Sequence, residues 1–273
     1  MMLSQIPIIV INLKKDLEKR KKITERLKHF GLKFSFFDAF YGNDLSINEL
    51  KKSYNSINSL QRNCRELRSN EVGCALSHFG VYELMIHKGI EEMLIFEDDA
   101  VLSENFLESL KVIDLLPKSW EIFLLGYSSN RKFPCSFKLK LENNKTNFSV
   151  GISPSKRACL HGYVINQRGA KRMLSYKESL YQPIDYYSGD NRLMNVFVLV
   201  PRVVFQDANL ESSIGYKEIE DRKSWKNSKL ISLLRDMNNQ RRHNRVKGKK
   251  FSLNCFVKKI KYLLRHKKID FYE

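Results

Sequence analysis

Apolar residues along this chain fall in short dense runs separated by stretches with helical spacing. Ile6–Leu13 is a run rich in Ile and Val, which predicts a buried strand of a parallel sheet. Asp16 is placed to open a helix. Leu17, Ile23, Leu27 and Phe30 then recur at near-helical spacing, and Gly31 supplies a C-terminal stop. Lys33–Phe37 reads as a second strand. This β-α-β order predicts an α/β sheet of the nucleotide-binding type.

The polar segment Tyr41–Arg68 reads as an insertion or long loop. Ser69 begins a helix with Val72, Leu76, Phe79, Leu84 and Ile86 apolar, ending near Gly89. Met93–Phe96 and Glu121–Leu125 read as strands. Phe133–Pro154 is polar and irregular, and fits a surface hairpin or loop. Gly162–Ile165 is a strand followed by a helix from Arg168 through Leu174. Asn195–Phe205 is rich in Val and broken at Pro201 and Arg202, which suits two short strands. No internal repeat is present. The pattern divides the chain into an α/β domain over 1–220 and a helical tail over 221–273.

Composition sharpens that division. The chain has 273 residues and a formal net charge of +18. Residues 221–273 hold 17 Lys/Arg against 4 Asp/Glu, a net +13, which leaves +5 for the first 220. The body is mildly basic and the tail strongly so, which favours acidic partners such as nucleic acid, anionic lipid or phosphorylated substrates. The five cysteines include no pair two residues apart, so a zinc knuckle or redox dithiol is excluded and reduced thiols are expected. The N-terminal apolar run lacks a basic region before it and a cleavage site after it, and no run reaches the roughly 20 apolar residues of a membrane span. A cytoplasmic protein with at most peripheral membrane contact is expected.

The strongest chemical signal is Leu94-Ile95-Phe96-Glu97-Asp98-Asp99-Ala100. An apolar strand delivers three carboxylates to its C-terminal edge, where ligands bind in open α/β sheets. Clustered carboxylates raise one another's pKa, and a divalent cation removes that penalty. Mn²⁺ or Mg²⁺ on oxygen ligands suits such a site and can bridge to a diphosphate. Asp99 is the first choice of ligand, and strand alternation places Glu97 on the same face. An acidic turn after a core strand is the plainer alternative. A second cluster, Ser69–His78, combines a helix start with small residues at Gly73, Ala75 and Ser77. His78 is placed to hydrogen-bond a phosphate or sugar hydroxyl, or to be structural. A third, Pro183-Ile184-Asp185-Tyr186-Tyr187, sets a carboxylate beside aromatics that could stack on a sugar. Asp207, after Val203–Phe205, is a similar candidate. A surface loop is the alternative for both.

Taken in order, these motifs resemble glycosyltransferase family 25, the bacterial lipooligosaccharide glycosyltransferases related to the collagen galactosyltransferases. The matching residues are Val10-Ile11-Asn12-Leu13 with Arg20, then Glu71 through His78, Leu94 through Ala100, Gly162 through Ile165 with Gly169-Ala170, and Pro183-Ile184-Asp185. The likeness spans residues 6 to 215. It implies a GT-A type, Rossmann-like single domain and an inverting transfer of a hexose from a UDP-sugar to a lipooligosaccharide or lipopolysaccharide acceptor. UDP-galactose is the expected donor and UDP-glucose the alternative. The family's D-x-D becomes Glu97-Asp98-Asp99 here, with Asp99 and Glu97 as metal ligands and Mn²⁺ or Mg²⁺ as the ion. The resemblance places Asn12, Leu13 and Arg20 near the nucleotide, with Ser77, His78, Glu97 and Asp98 beside it. It leaves Asp185, with Asp207 as second choice, as the base that deprotonates the acceptor.

In the tail, apolar residues at 253, 256, 257, 260, 263 and 264 face a basic surface, the spacing of a helix lying on an anionic inner membrane. A helix docked on the catalytic domain is the alternative. A nucleic-acid-binding protein should interleave its basic residues with aromatics over a common surface. Here they concentrate in the tail, so no nucleic-acid partner is expected. A non-catalytic basic membrane or nucleic-acid module would leave the acidic strand end unexplained.

Overall fold

The computed structural model describes residues 6–63, 65–127, 137–139, 147–152 and 159–210. The basic tail, the boundary at residue 220 and most of the Phe133–Pro154 stretch lie outside the described residues. The described residues form two units, one of residues 6–55 and 68–210, the other the helix Ser56–Asn63 with the chain to Leu67. In the second unit the Ser59 hydroxyl donates to the Arg65 carbonyl at 2.8 Å.

The first unit begins with the expected β-α-β. Strand β1 (Ile8–Asn12) is buried along its length, and helix α1 (Leu17–His29) presents Ile23 and Leu27 to the core. Gly31, at φ 66°, ends α1 in the left-handed region that an L side chain adopts only with strain. Strand β2 (Ser35–Asp38) then pairs parallel with β1.

The stretch 41–68, read from sequence as a loop, instead contains helices α2 (Ile47–Ser53) and α3 (Ser56–Asn63). Ser46 and Glu49 form a reciprocal cap on α2, each side chain bonding the other's backbone N–H. Helix α4 (Ser69–His87) follows, its first turn closed by the Glu71 carboxylate accepting from Arg68 N–H at 2.9 Å. Next come β3 (Glu92–Glu97), β4 (Ala100–Leu102), the short helix α5 (Phe106–Ser109), β5 (Ile122–Leu124), β6 (Phe137–Leu139), β7 (Ser149–Ile152), β8 (Gly162–Asn166), α6 (Gln167–Leu174), α7 (Ile184–Ser188), β9 (Val196–Val200) and β10 (Val204–Gln206).

Among the described residues eight strands make one sheet in the order β2-β1-β3-β8-β5-β9-β7-β6, and β10 pairs with β4 in a separate ribbon. The sheet is mixed rather than parallel. β1 runs parallel to β2 and β3, but β8 is antiparallel to both of its neighbours, β3 and β5. Side chains alternate along β3, so Leu94 and Phe96 join Ile8, Val10 and the α1 residues Ile23 and Leu27 in one buried cluster. Ile95 and Glu97 point to the other face, where Tyr163 of β8 meets His78 and Tyr82 of α4. Helices thus cover both faces, which is why β3 reads as a continuous apolar run.

α4 packs closely on the chain that follows β2. A Cβ on Gly73 would lie 2.6 Å from the Gly42 nitrogen and 2.6 Å from the Phe40 carbonyl. Glycine is what lets the two backbones touch.

Candidate active site

The site is built at the carboxyl end of β3. In the antiparallel β3–β8 register Ile95 pairs with Tyr163 and Phe96 with Gly162, so the next pair is Glu97 with His161, joined by Glu97 N–H donating to the His161 carbonyl at 3.1 Å. Both side chains therefore share one face, and His161 Nδ1 lies 3.3 Å from Glu97 Oε2. The chain turns after Glu97 and brings Asp99 Oδ1 to 3.5 Å from the same nitrogen. Asp99 is steadied by β10: Gln206 Nε2 donates to Asp99 Oδ2 at 2.9 Å, and Asp207 N–H donates to the Asp99 carbonyl at 2.8 Å.

The electrostatics follow from this geometry. Burial opposes ionisation of Glu97, yet the imidazoles of His161 and His78 outweigh it and hold its carboxyl well below the usual range. Burial likewise opposes a charge on His161. Asp99, Cys159 and Glu97 overcome it and push that imidazole up to about 12. Asp98 takes another course. Burial raises it to about 6, with Asp99 and Glu97 adding to the rise, against Lys19 and the Asn12 amide that favour its ionised form. Asn12 Nδ2 donates to Asp98 Oδ2 at 2.8 Å, and Lys19 Nζ stands 3.9 Å from Asp98 Oδ1.

Glu97, Asp99 and His161 offer donor atoms that all lie within 4.8 Å of one another. Asp99 Oδ1 and His161 Nδ1 are buried and make no hydrogen bond. Two carboxylates and an imidazole, converging on one buried point, are a donor set that a divalent cation such as Mn²⁺ fits once it displaces the imidazole proton.

Asp185 lies in α7, which packs against α4. Its Oδ2 accepts from the Cys159 N–H at 3.0 Å. Cys159 holds φ 93°, a left-handed conformation unusual for a residue with a side chain. Burial lifts Asp185 to about 6, and the charges of Glu97 and Glu71 add to the rise against the Cys159 N–H. Asp185 thus shares the field of the β3 edge.

Other expected site residues fall in different places. Asn12 is buried at the end of β1 and accepts from Arg20 NH1 at 3.5 Å. Arg20 also pairs with Asp38 at 3.4 Å and lies over the Phe36 ring. Leu13 contributes its carbonyl, which takes the Asp16 N–H and starts the turn into α1. Ser77 faces the protein rather than a ligand: its hydroxyl donates to the Gly73 carbonyl at 2.7 Å and accepts from Phe40 N–H at 2.9 Å. His78 is fully buried behind Glu97, with Nε2 at 3.4 Å from Oε1. Asp207 forms an ion pair with Arg26, which with the Asn209 N–H holds its carboxyl below the usual range. A carboxylate so occupied is a poor proton acceptor.

His161 escaped the sequence reading. Its place just before a strand of unassigned direction says nothing of Glu97. Only the antiparallel direction brings it beside Glu97.

Residues 5–188 match the model of Glycosyltransferase family 25 (LPS biosynthesis protein). The chain belongs to glycosyltransferase family 25. The lipooligosaccharide biosynthesis protein lex-1 of Haemophilus influenzae is 28% identical over 206 residues, covering 65% of this chain and 66% of that one. Human procollagen galactosyltransferase 2 is 25% identical over 174 residues, covering 61% of this chain and 27% of the human one. The mouse inactive glycosyltransferase 25 family member 3 is 29% identical over 126 residues, covering 44% of this chain and 21% of that one. The chain spans less than two thirds of the length of each.

Proposed function

We propose that this family 25 chain is an inverting, divalent-metal-dependent hexosyltransferase. The donor is UDP-galactose, with UDP-glucose the alternative. The acceptor is a lipid-linked oligosaccharide of the lipopolysaccharide type at the cytoplasmic face of the membrane. The observation that carries the reading is the joint placement of Glu97, Asp99 and His161 with an elevated Asp185 near them. A structural acidic turn would need neither an imidazole between its carboxylates nor a further buried carboxylate at Asp185.

In this reading Glu97, Asp99 and His161 would hold a divalent ion, which would supply positive charge toward the diphosphate leaving group. Asn12, Arg20 and Lys19, at the ends of β1 and in α1, bind the nucleotide. Cys159 holds one oxygen of Asp185, and Oδ1 takes the proton of the acceptor hydroxyl. The acceptor oxygen forms its bond to the anomeric carbon as the bond to the diphosphate breaks, the electron pair leaving with UDP. A pKa near 6 suits this base, ionised at neutral pH yet more basic than an exposed aspartate. Positioning and charge stabilisation supply most of the acceleration. The lipid-linked acceptor is supported by what lex-1 is named for and by the basic, amphipathic composition of the tail. Recruitment of an anionic surface by that tail would add about 1 kcal/mol per basic residue near it.

Proton NMR of the product tests the mechanism. An anomeric configuration opposite to that of the donor, with Asp185→Asn binding UDP normally but not turning over, is expected. Retention of configuration, or an active Asp185→Asn enzyme, would remove the inverting base.

A further inference from the structure

Behind Glu97 runs a line of buried polar groups that the transfer chemistry does not use. Tyr82 OH lies 2.7 Å from Tyr163 OH, and Tyr163 OH lies 2.8 Å from His78 Nδ1. His78 Nε2 then reaches Glu97 Oε1 at 3.4 Å. Tyr82, Tyr163 and the His78 side chain are all fully buried. The residues come from two elements that the fold sets face to face: α4 supplies His78 and Tyr82 four residues apart on one side, and β8 supplies Tyr163 two residues from His161.

The chemistry of each group gives the line a direction. A carboxylate oxygen accepts, so the His78 nitrogen that faces Glu97, Nε2, is the donor. Nδ1 then serves as the acceptor for the Tyr163 hydroxyl 2.8 Å away. Tyr163 has spent its only proton, so Tyr82 donates to the Tyr163 oxygen. Burial raises both phenols well above the ordinary phenol value, so both keep their protons. Every donor points toward the carboxylate, and each bond polarises the next.

We infer that Tyr82, Tyr163 and His78 form a one-way hydrogen-bond relay that fixes the His78 tautomer and, through it, the orientation of Glu97 as a metal ligand. They are positioning residues: none reaches solvent, and their effect passes through Glu97. The last step joins His78 Nε2 to Glu97 Oε1 at 3.4 Å, while Oε2 faces His161. The inference rests on the metal reading of the Glu97 edge. The relay itself is independent of whether any sugar is transferred.

The test uses the full chain, wild type and the near-isosteric variants Tyr163→Phe, Tyr82→Phe and the double variant. Long-range proton–nitrogen spectra of ¹⁵N-histidine-labelled protein read the His78 tautomer, and calorimetric titration with MnCl₂ alone reads the metal site. Wild type should show a protonated Nε2 and a bare, hydrogen-bonded Nδ1. Tyr163→Phe should shift the Nδ1 resonance and weaken Mn²⁺ binding by about tenfold or more, the scale seen for groups that orient metal ligands. Tyr82→Phe should act in the same direction and less, and the double variant should match Tyr163→Phe alone. An imidazolium or an Nδ1–H tautomer in the wild type would overturn the relay. So would unchanged Mn²⁺ affinity in a folded Tyr163→Phe protein. If the wild type binds no Mn²⁺, the metal reading fails and the tautomer spectrum alone decides the relay.

Discussion

His161 faces Glu97 across β3 and β8, its Nδ1 3.3 Å from Oε2, because the residue that enters β8 meets the residue that leaves β3. The same nitrogen is 3.5 Å from Asp99. Without a metal ion, a protonated His161 is the positive charge that separates two carboxylates. Removing one partner of a buried ion pair costs about 3–5 kcal/mol. His161→Ala should therefore lower the thermal midpoint in EDTA. It should also weaken Mn²⁺ binding measured by calorimetry. A variant as stable as wild type in EDTA would show that the imidazole carries no such charge.

The pH dependence of metal-free stability follows from the signs of these shifts. His161 is raised from 6.5 to about 12, so its contribution is complete below pH 6.5 and declines as pH rises toward 12. Glu97 is lowered, so its contribution is present above the ordinary carboxylate range and is lost on acidification. Urea unfolding in EDTA should show a steady loss of stability above pH 7. His161→Ala should flatten the alkaline slope.

Asp185 should couple activity and stability in opposite directions. Its rise from 3.8 to about 6 corresponds to a folded-state cost on the order of 3 kcal/mol at neutral pH, at about 1.4 kcal/mol per pH unit. Asp185→Asn removes the charge while keeping an oxygen for the Cys159 N–H. The variant should lose turnover by about 10²-fold or more. It should also gain stability above pH 6, a gain that shrinks to nothing as pH falls toward 4. Denaturant midpoints at pH 8 and pH 4 check the sign.

The acid limb of kcat/KM should report the same group. A base near pKa 6 predicts a rate that falls about tenfold per pH unit below 6. Asp98 is also raised to about 6, by burial first, so the limb needs assignment. Asp98→Asn should keep the limb if Asp185 is the base. Its disappearance in Asp98→Asn would transfer the role.

Gly73→Ala probes the fold apart from the chemistry. The new methyl would meet Gly42 and Phe40 backbone at 2.6 Å, with no flexible side chain to yield. A loss of about 1–3 kcal/mol in urea unfolding is expected. A neutral result would show that α4 can move away from the loop.

Much of this was legible in the chain. The β1-α1-β2 unit follows from Ile/Val runs, helical spacing and Gly31, and the β3 edge from an apolar run ending in Glu97-Asp98-Asp99. Strand direction was not legible, because the period of two along Gly162–Ile165 is the same in either sense. That one ambiguity hid His161 and with it the third donor. α2 was missed although the Ser46–Glu49 spacing of a capping box was present, since its polar composition matched a loop. Asp207 looked as available as Asp185 from its place after a strand. What separates them is Arg26, 181 residues away in sequence and brought alongside only by packing.

In the proposed reaction the Glu97, Asp99 and His161 edge serves metal-assisted transfer from a UDP-hexose. UDP release from a panel of UDP-sugars, with Mn²⁺ and with EDTA, tests it most directly. Release from UDP-galactose or UDP-glucose that requires the metal and is lost in Asp99→Asn is the predicted result. Undiminished release in EDTA, or neither release nor UDP binding with any sugar, would contradict it.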